Sequence, residues 1–323
     1  MQQEINGILA VDKPSGMSSA RLTAKIKRLL RVKKAGHTGT LDPFATGVML
    51  LCLGKATKLA RFFLHGIKTY EGVICLGIET DTQDLTGLIT ATYNTDTISE
   101  AAVFSAFEKF RGTIRQIPPI FSALKHEGVP LYKLARMGTP VQKPARIIHI
   151  YDLEILDICL PEIRFRVTCS GGTYIRTLSV DIGTALGCGG HLKALRRIQN
   201  HGFKIEETVS LSQIEKIAEL EYSDAMQGIS DFLIPMAEAL PYMPEYMVQE
   251  DMAKNILNGI PIRSENLNEM TKQGCRPAIR DFGAEEESAE EYVKVVNANG
   301  ELLAVLSREK NQNNYNFCCV FPR

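Results

Sequence analysis

The stretch GHTGTLDPFATGVMLLCL (residues 36–53) joins a glycine-rich segment to the longest uninterrupted apolar run in the chain. Its glycines permit backbone conformations that are closed to other residues, and Pro43 biases Asp42 toward an extended conformation. The first part therefore predicts a shaped loop, the kind of segment that commonly carries functional residues. The apolar run, residues 48–53, predicts a buried strand or the start of a helix.

Charge is strongly polarised along the 323 residues, although 37 Lys and Arg balance 37 Asp and Glu. Residues 13–70 hold twelve basic residues and one acid, Asp42, so this segment carries +11 and the remainder −11. A second segment, residues 109–149, has eight Lys or Arg and one acid, whereas residues 205–293 carry nineteen acids and six bases. Two separate acid-poor segments favour a phosphate-backbone partner. For residues 19–31 alone, the solvated face of an amphipathic helix is the simpler explanation.

Asp42 stands alone among the twelve cations of residues 13–70. Nearby positive charge stabilises a carboxylate, so we expect a lowered pKa for Asp42 and a persistent anion that acts as nucleophile or base. The alternative is a structural salt bridge, which is the usual role of an aspartate in a basic region. The glycine-rich loop around Asp42 favours the functional interpretation.

Composition and spacing exclude several classes of protein. An apolar content of 45% is typical of a globular chain, and the length corresponds to about two domains. The longest apolar run falls well short of the ~20 residues that cross a bilayer, and the N-terminus lacks a secretory apolar segment, so we predict a cytoplasmic location. Eight cysteines without a C-x-x-C pair predict buried thiols. Residues 47–55 do not match a Walker phosphate loop, and GCGGH (residues 187–191) does not match a dinucleotide fingerprint.

Five segments together resemble the TruB family of pseudouridine synthases: LAVDKPSGMSS (9–19), GHTGTLDPFATGVMLLCLGKATK (36–58), KTYEGVICLGIETDTQD (68–84), GGTYIRTLSVDIG (171–183) and GCGGHLKALRR (187–197). The resemblance implies an α+β fold, with a mixed, largely antiparallel sheet, flanking helices and a small C-terminal β domain. It also implies isomerisation of uridine to pseudouridine in the T loop of tRNA, at tRNA position 55. That reaction breaks the bond from ribose C1′ to uracil N1 and rejoins C1′ to C5, which implies neither a cofactor nor a metal.

The same resemblance assigns three catalytic residues. It places the reacting carboxylate at Asp42, and the guanidinium that keeps this carboxylate charged at Arg176. The family's active-site tyrosine corresponds to Tyr70, whose ring can stack on uracil and whose hydroxyl can help to remove the C5 proton. Whether Asp42 attacks C1′, attacks the base or deprotonates C2′ stays open at this point.

Further residues are expected to bind the substrate, because a base inside a folded loop must be flipped out before it reacts. The family histidine that fills the space left by the flipped nucleotide corresponds to His37, and the apolar residue that packs on the base corresponds to Leu195. Lys13 and Tyr174 complete this set. Each has a structural alternative from its own sequence context: core packing for Tyr70 and Leu195, and backbone hydrogen bonding in a loop for His37.

A basic, Gly- and Pro-containing segment resembles the family's RNA-gripping insert, which we place at about residues 111–148. In this segment the resemblance implies phosphate or loop contacts by Lys125, Lys133 and Arg136. Phe121 stands where the family usually has tyrosine, so a hydroxyl contact is lost there while packing remains.

Hydrophobic periodicity predicts the remaining organisation. Strand patterns cover residues 72–78, 147–156 and 163–169; helical patterns cover 19–31, 101–110, 177–186 and 211–220; and TYIR (173–176) is expected to form a strand. We assign residues 1–240 to a catalytic domain and 241–323 to a small β-rich domain resembling the PUA type, with NGIPI (258–262) as an early segment. Asn299-Gly300 predicts a hairpin, and EEESAEE (285–291) an exposed loop.

Three alternatives to a tRNA-modifying isomerase remain. A tRNA-binding chaperone without catalysis explains the charge but not the presence of Asp42, Tyr70 and Arg176 together. A hydrolase needs a second carboxylate near Asp42, and none is adjacent in the sequence. A relative that depends on a guide RNA usually has a longer basic tail. The expected partner is the T arm of tRNA, bound by a monomer that needs no obligate protein partner and no membrane.

Overall fold

A computed structural model describes residues 4–260, 262–263, 271–273, 290–309 and 314–322 of the chain. The described strands are β1 (Gly7–Lys13), β2 (Ala35–Thr38), β3 (Thr46–Leu53), β4 (Lys68–Leu76), β5 (Ile78–Thr80), β6 (Ile89–Thr92), β7 (Gly112–Gln116), β8 (Lys125–His126), β9 (Val129–Pro130), β10 (Arg146–Cys159), β11 (Glu162–Cys169), β12 (Gly190–Asn200), β13 (Phe203–Lys204), β14 (Val209–Ser210), β15 (Leu233–Ile234), β16 (Glu245–Met247), β17 (Ile262–Arg263), β18 (Thr271–Gln273), β19 (Glu290–Val296), β20 (Leu302–Glu309) and β21 (Asn314–Val320). The described α-helices are α1 (Ser19–Leu29), α2 (Glu100–Glu108), α3 (Leu131–Arg136), α4 (Ile175–Ala185), α5 (Leu211–Ala218), α6 (Tyr222–Ser230) and α7 (Glu250–Leu257). Segments Gly54–Phe63 and Ile205–Glu207 are 3₁₀-helical.

The larger sheet has the strand order β14-β1-β3-β12-β4-β11-β10-β7, and β2, β13 and β15 pair at its margins. The pairs β1/β14 and β3/β12 are parallel, and the other pairs in this sheet are antiparallel. The expected mixed, largely antiparallel sheet with flanking helices is therefore confirmed.

Alternating burial along the central strands creates the main core. On β4, Tyr70, Gly72 and Ile74 are buried while Glu71 and Val73 are half-buried, as expected of a strand with one more deeply covered face. Helices α2 and α4 cover that face with Phe107 and Leu178. The run 48–53, which the sequence left open between strand and helix, belongs to β3 and is completely buried.

Helix α1 is amphipathic, as its sequence predicts. Ser18 caps its N-terminus by accepting a hydrogen bond from the backbone N–H of Arg21, and Leu22 and Ile26 are buried in a separate core cluster. All four predicted helices agree with the observed ones within two residues at each end. The expected TYIR strand is wrong: Tyr174 is the N-cap of α4, so Arg176 lies in the first turn of a helix.

The smaller sheet, β17-β21-β20-β19-β16-β18, forms the expected C-terminal β region. Strands β19 and β20 make the predicted antiparallel hairpin around Gly300. A shared apolar cluster, including Val48 of β3 and Val305 of β20, packs this region against the larger sheet. Of the expected loop 285–291, residues 285–289 lie outside the described residues, and the last two begin β19 rather than a loop. In the early segment NGIPI, Ile262 begins β17, which pairs with β21.

The cysteines only partly follow expectation. Cys52, Cys169 and Cys188 are buried, but Cys159 is exposed, so the prediction that all eight are buried thiols is wrong. Cys275 lies outside the described residues. No helix within the described parts of the chain is both long and apolar enough to cross a membrane.

Candidate active site

The loop between β2 and β3 holds Asp42 in place through hydrogen bonds on both sides. The Ser19 hydroxyl, at the start of α1, donates to the carbonyl oxygen of Leu41 and accepts from its N–H, each at 2.9 Å. Gly47 has a φ of +105°, and a Cβ there would collide with the backbone of Arg197 on β12, so only glycine suits this position. The predicted shaped loop is confirmed, although it begins at Gly39, because residues 35–38 form β2.

Lys13 also stabilises this loop, through hydrogen bonds to backbone carbonyl oxygens. Its side chain is fully buried, and Nζ donates to the carbonyl oxygens of Pro14 at 2.9 Å, Pro43 at 3.1 Å and Ala45 at 2.5 Å. Burial lowers the pKa of Lys13 to about 8, opposed by the nearby Asp42 carboxylate. All three donors of the ammonium group face backbone oxygens, so the structure places Lys13 under the loop rather than at a surface that a substrate can contact.

Arg176 and Asp42 form a two-point ion pair. Nε of Arg176 lies 2.9 Å from Oδ2 of Asp42, and Nη2 donates to Oδ1 at 3.3 Å. The guanidinium is nearly sealed, with 4% of the side chain exposed, whereas 33% of the Asp42 side chain is open. Arg176 also donates from Nη1 to the carbonyl oxygen of Thr82 and from Nη2 to that of Phe121, each at 2.8 Å. Arg176 is therefore enclosed beside Asp42 and does not face solvent.

A second carboxylate, Asp84, lies beside the pair and was missed by the sequence reasoning. Its Oδ2 is 3.7 Å from Nη1 of Arg176, and only 6% of its side chain is exposed. Its Oδ1 accepts hydrogen bonds from Thr82 Oγ1, Thr86 N and Thr86 Oγ1 at 2.6 to 2.9 Å. A second carboxylate therefore does lie near Asp42 in space, and the expectation that none is near it is wrong. Asp84 is nevertheless enclosed and already hydrogen-bonded, unlike the accessible acid of a glycosidase pair.

Burial raises the pKa of Asp42 above the usual range for aspartate. Arg176 opposes this shift most strongly, Asp84 reinforces it by like-charge repulsion, and Lys13 opposes it weakly. The expectation that the surrounding cations lower this pKa is wrong in its net direction, because desolvation outweighs them. The guanidinium nevertheless supplies the charge-assisted bonds that orient the anion.

Tyr70 and Leu195 lie in the same core cluster as Leu41, the residue that precedes Asp42. Tyr70 is 6% exposed, and the guanidinium of Arg197 lies 6.0 Å from the centre of its ring. Burial raises the pKa of the Tyr70 phenol, and Arg197 opposes the shift. The phenol is therefore neutral near pH 7. Tyr70 and Leu195 therefore lie near the loop that carries Asp42. Both residues are buried, with 6% of Tyr70 and 8% of Leu195 exposed.

An open cleft of about 390 Å³ lies beside the loop. Phe44 and Leu195 contribute apolar surface to it, and Arg164 and Arg196 contribute positive charge. Asp42 itself does not line the cleft; the loop that carries it contributes Phe44, two residues farther along the chain. The cleft is open, and its charged lining residues are three bases, Arg164, Lys193 and Arg196, and one acid, Glu71.

His37 lies on β2, where it pairs with Leu51 of β3. Burial lowers its pKa, and Arg197 adds to the effect. Nδ1 of His37 is buried and has no hydrogen-bond partner among the described residues. The ring is therefore neutral at pH 7, which suits stacking on a base better than pairing with a phosphate.

The insert carries its predicted cations at the surface. Lys125 lies on β8, and Lys133 and Arg136 lie on α3; all three are exposed, and the Arg136 guanidinium lies 5.8 Å from the ring centre of Tyr132. Of this segment, it is the backbone of Phe121 that reaches Arg176. Within the described residues none of these three cations contacts Asp42 or Arg176.

Comparison with known proteins identifies a matching family and similar proteins. Residues 27–175 match the family model "TruB family pseudouridylate synthase (N terminal domain)", and residues 176–241 match "tRNA pseudouridylate synthase B C-terminal domain". The chain is 39% identical to tRNA pseudouridine synthase B of Actinobacillus pleuropneumoniae over 84% of this chain and 88% of that protein. It is 44% identical to the Syntrophotalea carbinolica protein of the same name, over 80% and 82%. A solved Cbf5-Nop10-Gar1 complex contains a chain with the same fold, with a TM-score of 0.73 and 24% identity over 98% of this chain and 85% of that one.

Proposed function

The chain belongs to the TruB family of pseudouridylate synthases, and on that premise we propose that it isomerises uridine to pseudouridine in the T loop of tRNA, with Asp42 as the reacting carboxylate. The observation that carries this proposal is the two-point ion pair between a nearly sealed Arg176 and a partly open Asp42. A guanidinium held by two backbone carbonyl oxygens fixes the direction of the carboxylate before any substrate arrives.

The reaction is a balanced internal transfer. The bond from ribose C1′ to uracil N1 breaks, the base turns, a bond from C1′ to C5 forms, and the C5 proton leaves while N1 gains one. An anionic carboxylate near the sugar stabilises the oxocarbenium-like character of C1′ or reacts covalently with the nucleotide. Attack at C1′, attack on the base and deprotonation at C2′ are all compatible with the position of Asp42.

Substrate binding is divided between the cleft and the insert. Tyr70 and Leu195 supply apolar surface against the uracil, and the neutral ring of His37 stacks in the space that the flipped nucleotide leaves. Tyr174 adds an aromatic surface beside Arg176. Lys125, Lys133 and Arg136 contact phosphates of the T arm. Lys13 supports the reaction by holding the loop rather than by touching RNA.

The domain and partner assignments extend the same proposal. Residues 1–240 form the catalytic domain with the insert at about 111–148, and residues 241–323 form a PUA-like domain whose main role is stability or a contact with the acceptor arm. The protein acts in the cytoplasm as a monomer on tRNA, without an obligate protein partner. These assignments are tested by the mass of the tRNA complex and by activity on a T-arm hairpin.

The decisive experiment measures tritium release from C5 of uridine in an unmodified tRNA transcript. We expect Asp42→Asn to bind tRNA with unchanged affinity and to release no tritium, because the amide cannot act as an anionic nucleophile or base. The matched control is Asp152→Asn, which removes an exposed carboxylate on β10 that pairs with Arg111 and leaves release unchanged. Tritium release by the Asp42 variant equal to that of the wild type refutes the catalytic role of Asp42. Release from a uridine outside the T loop instead of the T-loop uridine refutes the assigned position of the target.

A further inference from the structure

Gln116, the last residue of β7, is a fully buried glutamine with both ends of its amide engaged. Its Nε2 donates to the carbonyl oxygen of Tyr174 at 3.0 Å, and its Oε1 accepts from the N–H of Tyr174 at 2.8 Å. One side chain thus fixes both backbone polar groups of a single residue that is 58 positions away. This double contact resists both sliding and rotation of the backbone at Tyr174.

The contact lies at the base of the insert, where the chain leaves and re-enters the sheet. Gln116 on β7 is the cross-strand partner of Arg146 on β10, so these two residues close the segment between them. The Arg146 guanidinium lies 4.8 Å from the centre of the Tyr174 ring and donates to the carbonyl oxygen of Gly172. Both ends of the insert are therefore attached to the residues just before α4.

Tyr174 in turn determines the position of Arg176. It is the N-cap of α4, and Arg176 is the second residue of that helix. Inside the insert, the carbonyl oxygen of Phe121 accepts a hydrogen bond from Nη2 of Arg176, the same nitrogen that donates to Asp42. A shift of the insert is thus transmitted to Arg176 along two routes, through Tyr174 and through Phe121.

We propose that Gln116 is a positioning residue for the isomerisation: it couples the seating of RNA on the insert to the alignment of Arg176 with the Asp42 carboxylate. This inference rests on the proposed function. Gln116 touches neither the substrate nor the reacting atoms, and it acts through Tyr174 and Arg176. The competing explanation is that Gln116 merely satisfies buried backbone groups and stabilises the fold.

The two explanations differ in what a variant loses. Gln116→Met keeps the length of the side chain and removes both hydrogen bonds. If Gln116 positions Arg176, kcat at saturating tRNA falls by about 10- to 100-fold, because a small misalignment of reacting groups is costly. The dissociation constant for tRNA then changes by less than about threefold, because the surface cations of the insert are untouched. A purely structural role lowers the unfolding temperature and leaves kcat below that temperature intact.

The matched control is Gln142→Met, which removes a glutamine in the same insert that donates to the carbonyl oxygen of Pro118. Within the described residues Gln142 donates to the carbonyl oxygens of Pro118 and Lys143 and not to α4, so its loss disturbs the insert without changing the Tyr174 contact. We expect this control to keep the wild-type kcat. An equal loss of kcat in both variants overturns the proposal, because it assigns the effect to the insert as a whole.

Gln116→Glu supplies a reversible version of the same test, and it decides the question if the Met variant does not fold. A carboxylate accepts from the Tyr174 N–H but cannot donate to its carbonyl oxygen, whereas a protonated glutamic acid does both. The ratio of variant to wild-type kcat therefore rises as the pH falls from 8 to 6. A ratio that stays flat over this range, or a wild-type kcat in Gln116→Met, refutes the positioning role. Failure of the proposed function is distinguishable, because the wild type itself then releases no tritium from the T-loop uridine.

Discussion

The loop that holds Asp42 and the insert connect strands of the same sheet, but they differ in the burial of their charged side chains. The loop is held by Lys13 of β1 and Ser19 of α1, which are buried and form hydrogen bonds with backbone groups of the loop. In the insert, Lys125 and Lys133 are exposed to solvent. Reaction chemistry depends on groups fixed before the substrate arrives, whereas phosphate binding depends mainly on the number and sign of surface charges.

This contrast locates the functions separately. Substitutions near Asp42 are expected to change the rate of the bound complex, and substitutions on the outer face of the insert are expected to change its affinity. Gln116 is the exception, since it lies at the base of the insert and contacts the helix that carries Arg176.

Arg176→Ala is expected to reduce kcat by about 10²- to 10³-fold, the loss typical of removing one preorganised charged donor. The variant leaves Asp42 and Asp84 without their shared cation, so the pKa of Asp42 rises further and the reactive anion is depleted. Single-turnover tritium release at saturating enzyme measures the effect. Arg111→Ala, which breaks exposed pairs with Glu108 and Asp152, is the control and retains full activity. A kcat for the Arg176 variant within threefold of wild type contradicts the role of the ion pair.

The triple change Lys125→Gln, Lys133→Gln and Arg136→Gln is expected to weaken tRNA binding by about tenfold at physiological salt. The slope of log Kd against log salt concentration decreases by about 2 to 3, because each lost phosphate contact removes roughly 0.7 to 0.9. At saturating tRNA, kcat stays close to wild type, since none of these side chains contacts the Asp42 pair.

The control for the insert uses three exposed lysines outside the basic segments, changed to glutamine together: Lys204, Lys216 and Lys254. They lie in or near the acidic region, so their loss leaves the affinity and the salt slope unchanged. An equal loss of affinity in both triple variants shows that net charge, rather than the insert, governs binding.

The sequence predicted the secondary-structure elements better than the tertiary contacts between them. Alternation along residues 163–169 is sufficient to predict β11, because that pattern is local. Asp84 belongs to segment 68–84, which the resemblance includes. Nothing in the local sequence, however, shows that Thr82 and Asp84 contact Arg176, which lies 94 positions after Thr82. The role of Gln116 could not be predicted from sequence either, because a single glutamine in a strand does not indicate that it contacts Tyr174.

The roles of the site residues came from resemblance, and their environments came from the structure. Cations near Asp42 in the sequence suggested a lowered pKa, but the degree of burial decides the sign, and burial is a property of the fold. Lys13 is the parallel case, since its charge suggested an RNA contact while its full burial assigns it to the loop. Charge counting therefore indicated where the site is, but gave neither the protonation state nor the contacts.

The raised pKa of Asp42 predicts a pH dependence that is smaller than the effects above and follows from the same burial. If the reaction uses the carboxylate, activity is present above this pKa and is lost as the pH falls through it, so kcat/KM of the wild type declines by at most tenfold per pH unit on the acid side. The pH dependence of stability has the opposite sign. The fold favours the neutral form of Asp42, so the wild type loses stability relative to Asp42→Asn as the pH rises from 4 to 7. Urea unfolding of both proteins across this range measures the difference. A wild type that instead gains stability relative to Asp42→Asn as the pH rises shows that Arg176 outweighs desolvation, and it would restore the lowered pKa that the charge pattern alone suggests.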